Sequence, residues 1–93
     1  MLTINQRAKN LQFLNYSISN MSRAYYNFQR DFNCSMLDGI YGNETDTKLR
    51  QVISGIQYVI GAKQDGIVGQ ETISKLKNWQ SKHGLIADRY MWC

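Results

Sequence analysis

Ninety-three residues, 43% of them apolar, suffice for one domain with one modest core and are too apolar for a disordered chain. Eleven Lys and Arg against seven Asp and Glu leave a net charge of +4, which favours an anionic partner. The cations are scattered from Arg7 to Arg89 without a run that would form a basic stripe, so nucleic acid is not the expected partner.

The first element opens at Thr3 and Gln6, the spacing of a capping box in which hydroxyl and amide satisfy free backbone donors at a helix start. From there Ile4, Leu11, Leu14, Ile18, Met21, Tyr25, Phe28 and Phe32 keep a seven-residue apolar repeat. Residues 15–20 have weak helix propensity, so this segment is either one long helix or two helices meeting near 17–20. A continuous stripe about four heptads long would exceed what two short helices cover, and it predicts a homodimer. No apolar stretch has the length of an export signal or a membrane span, so neither is expected.

Next comes a turn that occurs twice. Asp38-Gly39-Ile40-Tyr41-Gly42-Asn43-Glu44-Thr45 returns 27 residues later as Asp65-Gly66-Ile67-Val68-Gly69-Gln70-Glu71-Thr72. In each copy an Asp can bond the backbone ahead of it, and the first Gly can take a positive φ. The Ile between the glycines is expected to plug into the core, and Glu44 and Glu71 suit the positive end of the next helix. A large apolar residue plus Gln precedes each turn: Phe28-Gln29, Ile56-Gln57 and, before a degenerate third turn at Asp88, Trp79-Gln80. Leu49, Val52, Ile53, Ile56 and Ile60 mark one helix face, and Ile73, Leu76, Trp79 and His83 the next, with Gly84 as its stop. The predicted fold is therefore all-α, a small three- to four-helix bundle with two Asp-Gly-Ile-x-Gly turns and a long N-terminal helical segment.

Catalytic groups are sparse. One histidine and two cysteines cannot make a His-rich zinc site, and the turns lack the alternating carboxylates of a calcium loop, so no metal or cofactor is expected. Cys34 with His83 is a conceivable nucleophile and base, but a buried thiol and a helix-end His is the plainer reading. Cys34 and Cys93 are read as reduced, a single bridge being the alternative. The carboxylates of the turns are already used by turn and helix-start chemistry, which leaves no pair for glycoside hydrolysis. Aromatics are numerous: six Tyr, three Phe and two Trp. Phe28, Phe32 and Trp79 belong to core stripes; Tyr26, Tyr41, Tyr58, Tyr90 and Trp92 are the candidates for a ligand surface.

The turns, the aromatic-Gln pairs Phe28-Gln29 and Trp79-Gln80, and Gly84-Leu85 resemble the peptidoglycan-binding domain over about residues 25–90. That family is a small helical wall-targeting module of bacterial and phage lytic enzymes. Departures are the missing turn Pro (Asn43 and Gln70 stand there), Ile56 in place of an aromatic, a longer middle helix, and residues 1–24, which form an N-terminal helical extension to a 25–93 core. The resemblance implies a single non-catalytic domain that binds peptidoglycan or another wall polymer as part of an enzyme such as a phage endolysin. The lack of a visible export signal fits a chain made in the host cytoplasm or a fragment whose signal lies elsewhere, and the Asn-, Ile- and Lys-rich, Pro-free composition points to a Gram-positive wall. The resemblance places the ligand groove beside the Asp-Gly turns, which points to Gln29, Asp38, Tyr41, Asp65, Gln80 and His83; the count of aromatics separately adds Tyr26, Tyr90 and Trp92 as candidate contacts. The alternative is a helical protein-interaction module without carbohydrate binding.

Overall fold

The computed structural model describes residues 1–82, which form α1 (Ile4–Phe13), α2 (Met21–Asp31), α3 (Asn43–Ile60) and α4 (Gln70–Lys82), with no strand among the described residues. The all-α expectation holds at this level. The degenerate turn at Asp88, the stop at Gly84, and Cys93 lie outside the described residues.

The Thr3 capping box forms in full: Gln6 N–H donates to Thr3 Oγ1 (3.2 Å) and Thr3 N–H to Gln6 Oε1 (3.0 Å). The helix stops because Asn15 takes a left-handed conformation (φ 72°), a position short polar side chains tolerate. Tyr16 N–H then closes onto Leu11 O (3.0 Å), a Schellman ending. Asn20 restarts the chain as a helix by accepting from Arg23 N–H (3.2 Å). The apolar series is thus two helices folded against each other, not one. Leu11, Leu14, Tyr25 and Phe28 are buried, Ile18, Met21 and Phe32 pack on them, and Ile4 faces solvent. The stripe offered as the reason for a homodimer is spent inside a single chain.

Residues 1–24 are built into the common core instead of being appended to it. Leu2, Leu11, Phe13, Leu14 and Ala24 join Phe28, Leu49, Ile53 and Leu76 in one cluster, with Trp79 packed at its edge. Buried Asn10 ties α1 to the second turn: its Nδ2 donates to Gly66 O and its Oδ1 accepts from Val68 N–H, both at 2.9 Å. Those bonds satisfy a turn backbone that burial has removed from water. Among the described residues no helix is long and apolar enough to cross a membrane.

The two turns are closed by the same hydrogen bonds, and each is run by one glutamine. Gln29 O accepts from Cys34 N–H and Gln57 O from Ala62 N–H, both at 2.9 Å, which ends α2 and α3 in matching fashion. The Gln29 side chain then reaches into the turn that follows. Its Nε2 donates to Ile40 O (3.0 Å), Thr45 Oγ1 (2.9 Å) and, more weakly, Asp38 Oδ1 (3.3 Å), while Oε1 accepts from Gly39 N–H (3.0 Å). Gln57 repeats the set with Ile67 O (3.0 Å), Thr72 Oγ1 (3.1 Å), Asp65 Oδ1 (3.0 Å) and Gly66 N–H (3.0 Å). Asp38 and Asp65 each accept from the amide two residues on, at 3.0 Å, as expected of an Asp-led turn. Glu44 and Glu71 sit in the first turns of α3 and α4 and bind back to the loop amides of Ser35 and Lys63.

One expectation about the turns fails. Ile40 does not plug the loop: it is 66% exposed, and Ile67 is only partly covered. Their carbonyls point inward to the glutamines, which turns their side chains out. The next residue enters the core instead, as Tyr41 in the first turn and Val68 in the second.

Candidate binding groove

The fold brings Tyr26 and Asp38 to the same place. Tyr26 stands 40% exposed on the outer face of α2, and the first turn lies beside it. Between them runs a groove of about 410 Å³, within the usual ligand-cleft range, whose walls include Arg23, Tyr26, Asn27, Arg30, Leu37 and Asp38. Ser22 Oγ donates to Gly39 O (3.2 Å), stitching helix to turn along the floor. Asp38 Oδ1 is taken by Ile40 N–H and Gln29, which leaves Oδ2 without a hydrogen bond among the described residues. Arg30 pairs with its neighbour Asp31 (3.3 Å) at the surface, and Arg23 makes no ion pair among the described residues. The groove therefore offers an aromatic face, amides, guanidinium donors and a carboxylate acceptor together.

The other candidates are placed differently. Gln29 is 1% exposed, so its amide works behind the groove as the clamp of the turn and does not face a ligand. Asp65 occupies the matching position in the second turn, where burial raises its pKa but the bonds from Ile67 N–H and Gln57 prevail and hold it below the ordinary value. Gln80 is buried. Tyr58 is exposed as expected. His83, Tyr90 and Trp92 lie outside the described residues. Tyr41 is not a surface aromatic: it is 9% exposed, its ring tilted against Tyr25 at 5.1 Å. Sequence reading overlooked Arg23, Asn27 and Arg30, although their spacing around Tyr26 puts them within one helical turn of it.

Tyr41 belongs to a second cluster that fastens the N-terminus. Its hydroxyl donates to Asp46 Oδ1 (2.7 Å), which also accepts from Leu2 N–H (2.9 Å), and Arg7 lies over its ring at 4.0 Å while donating to Leu2 O (2.9 Å). Burial would raise the Asp46 pKa, yet the Leu2 and Tyr41 bonds, with Arg50 at 3.9 Å, outweigh it and hold the carboxyl below its ordinary value. The Tyr41 hydroxyl is pushed well above its usual pKa by burial and by that same bond, so it stays a donor. A carboxyl depressed in the folded state adds stability that is complete above its unfolded pKa and fades as pH falls through the folded one. Asp46→Asn is therefore expected to be less stable at neutral pH and to lose less on acidification from about pH 5 to about pH 2. Asp65 and Glu44, whose carboxyls are also depressed, act alike in both proteins, so parallel pH series of denaturant melts isolate Asp46. Equal slopes would refute the assignment.

Cys34 is a buried free thiol, its pKa raised by burial and then by Glu44, the reverse of an activated nucleophile. Among the described residues no three His, Cys, Asp or Glu gather into a metal-sized group. No family model, curated protein or solved structure matches this chain.

Proposed function

We propose that the chain is a non-catalytic module that binds the bacterial cell wall and targets a peptidoglycan hydrolase, such as a phage endolysin, to it. The observation that carries this reading is the turn unit built twice over on Gln29 and Gln57. The residues that run it, Asp-Gly, Thr and the preceding Gln, are the ones in which the sequence resembles wall-binding domains. A groove with an exposed Tyr and directed polar groups beside the first turn supports it, since saccharides and peptides are held by aromatic faces and a few convergent hydrogen bonds. The net charge of +4 suits an anionic wall.

The isolated chain is expected to sediment with purified peptidoglycan sacculi and to release neither reducing ends nor free amines from them. Soluble fragments liberated by the pure chain would overturn the non-enzyme part, and failure to bind walls of several Gram-positive species the targeting part. A second reading, a helical protein-interaction module, is favoured by one feature. Met36, Leu37 and Ile40 stand exposed around the first turn, where the second turn has Lys63, Gln64 and a half-covered Ile67.

A further inference from the structure

The internal repeat supplies its own control for which groove binds. Counting from the hub glutamines, Gln29 on α2 matches Gln57 on α3, and both side chains make the same four contacts. Whatever differs between the two helices outside that hub is therefore not demanded by the turn. On α2 the outward positions hold Arg23, Tyr26 and Asn27; on α3 the same positions hold Gln51, Ser54 and Gly55. The α3 face also has a hollow of about 350 Å³, but its cation, Arg50, is tied to Asp46 at 3.9 Å. Its one aromatic, Tyr58, takes the place of Arg30. One scaffold thus carries two surfaces, and only the first joins an aromatic ring, an unpaired guanidinium and a free carboxylate oxygen.

We infer that, of the two described units, the first holds the ligand, and that the ligand is a carboxylate-bearing peptide segment of the wall. This rests on the wall-binding reading. Tyr26 and Leu37 supply the apolar contact, the Arg23 guanidinium binds the carboxylate through its donor fork, and Asp38 Oδ2 accepts from a peptide N–H. Asp38 decides between anionic wall components. A groove that sets a carboxylate beside its guanidinium groups suits a ligand with both an anion and N–H donors, which a peptide has. A polyol phosphate chain has no amide N–H for Asp38 and would place its phosphates near that charge.

The test transplants the second unit's residues into the first. Arg23→Gln with Tyr26→Ser leaves the turn contacts untouched and installs side chains that α3 already carries on the same scaffold, so the melting temperature is expected to hold. The probe is the soluble disaccharide-peptide released from purified sacculi, titrated calorimetrically against the full chain. Loss of one charge-assisted bidentate contact and one aromatic face predicts at least about a tenfold rise in Kd. Capping the probe's carboxylates as amides is expected to weaken binding to the parent similarly and to change the doubly substituted protein little. Lys77→Gln, the same charge change at an exposed position of α4, should bind like the parent. Should the double variant melt early, Arg23→Gln alone, at an exposed position, gives the same reading. Parent-like affinity in the variant overturns the groove and leaves the wall reading standing. Binding that needs the wall's phosphate polymer and is absent with the disaccharide-peptide overturns the carboxylate. No binding by the parent to any wall preparation overturns both.

Discussion

Gln57→Ala is expected to cost about 3–5 kcal/mol, well beyond an ordinary polar truncation. The side chain is fully buried and makes four contacts at 3.0–3.1 Å, three as donor and one as acceptor. Truncation leaves the buried Gly66 N–H and the part-buried Ile67 O without that partner, and each stranded group costs about 1–3 kcal/mol when water cannot replace the bond. A cavity of several heavy atoms adds to this, because the surrounding helices relax only partly. A domain of this size is stable by only about 5–15 kcal/mol in total, so the variant is expected to melt far below the parent. Gln29→Ala should behave alike, since its hub is the same. Gln51→Ala, exposed on α3 six residues before the hub, is the control and should fall within about 0.5 kcal/mol. Urea melts decide the matter. A hub variant within about 1 kcal/mol of the parent would mean that the turns are held by something other than their glutamines.

The glutamines also mark where the sequence was legible and where it was not. Their position before each turn is readable from the repeat, as are Asp38, Asp65 and the left-handed glycines. Whether the amide points inward or outward is not, because an apolar residue plus Gln at a helix end fits either orientation. The sequence therefore suggests a ligand contact at Gln29, whereas its amide is the clamp behind the groove. The same one-residue ambiguity exchanged Ile40 and Tyr41. Hydrophobicity favours Ile as the plug, but the turn directs the Ile40 carbonyl to Gln29 and so sends the following side chain inward.

The N-terminal stripe shows a different limit. A seven-residue period survives a chain reversal if the loop happens to keep the count, so periodicity alone does not distinguish one long helix from two. What settles it is Asn15 in the left-handed region, together with the Tyr16 hydroxyl bound to Asp31 Oδ2 at 2.7 Å, which anchors the loop to the end of α2. The groove was half visible. Tyr26 and Asp38 are readable as candidates, but Arg23 and Arg30 are indistinguishable in sequence from the other scattered cations. Only the comparison of α2 with α3, position by position, singles out Arg23 for the proposed groove.

Alanine at either turn glycine should cost about 2–4 kcal/mol, clearly more than at Gly61, because two penalties act there instead of one. Gly39 (φ 69°), Gly66 (φ 73°) and Gly61 (φ 79°) are all left-handed, so each replacement carries the conformational cost of about 1 kcal/mol or a little more. Around Gly61 an added Cβ meets nothing within 4 Å, so that cost stands alone. At Gly39 the same atom would sit 2.9 Å from Ser22 Oγ and 3.0 Å from Ser22 O; at Gly66 it would sit 3.1 Å from Arg50 Cβ and 3.2 Å from Arg50 O. Ser22 Oγ can rotate away, but the carbonyls belong to helix backbone and cannot yield without parting helix from turn. Any such parting lengthens the Gln29 or Gln57 contacts, so the steric cost propagates into the hub. The second glycine of each motif has no comparable demand: Gly42 has a φ of −106°, Gly69 is not left-handed, and a Cβ at either finds open space. Thermal melts of Gly39→Ala, Gly66→Ala, Gly61→Ala and Gly42→Ser should therefore fall into three levels, with the turn glycines lowest and Gly42→Ser close to the parent. If Gly61→Ala melts as low as the turn variants, backbone strain alone explains all three, and the close seating of each turn on the helix before it contributes nothing.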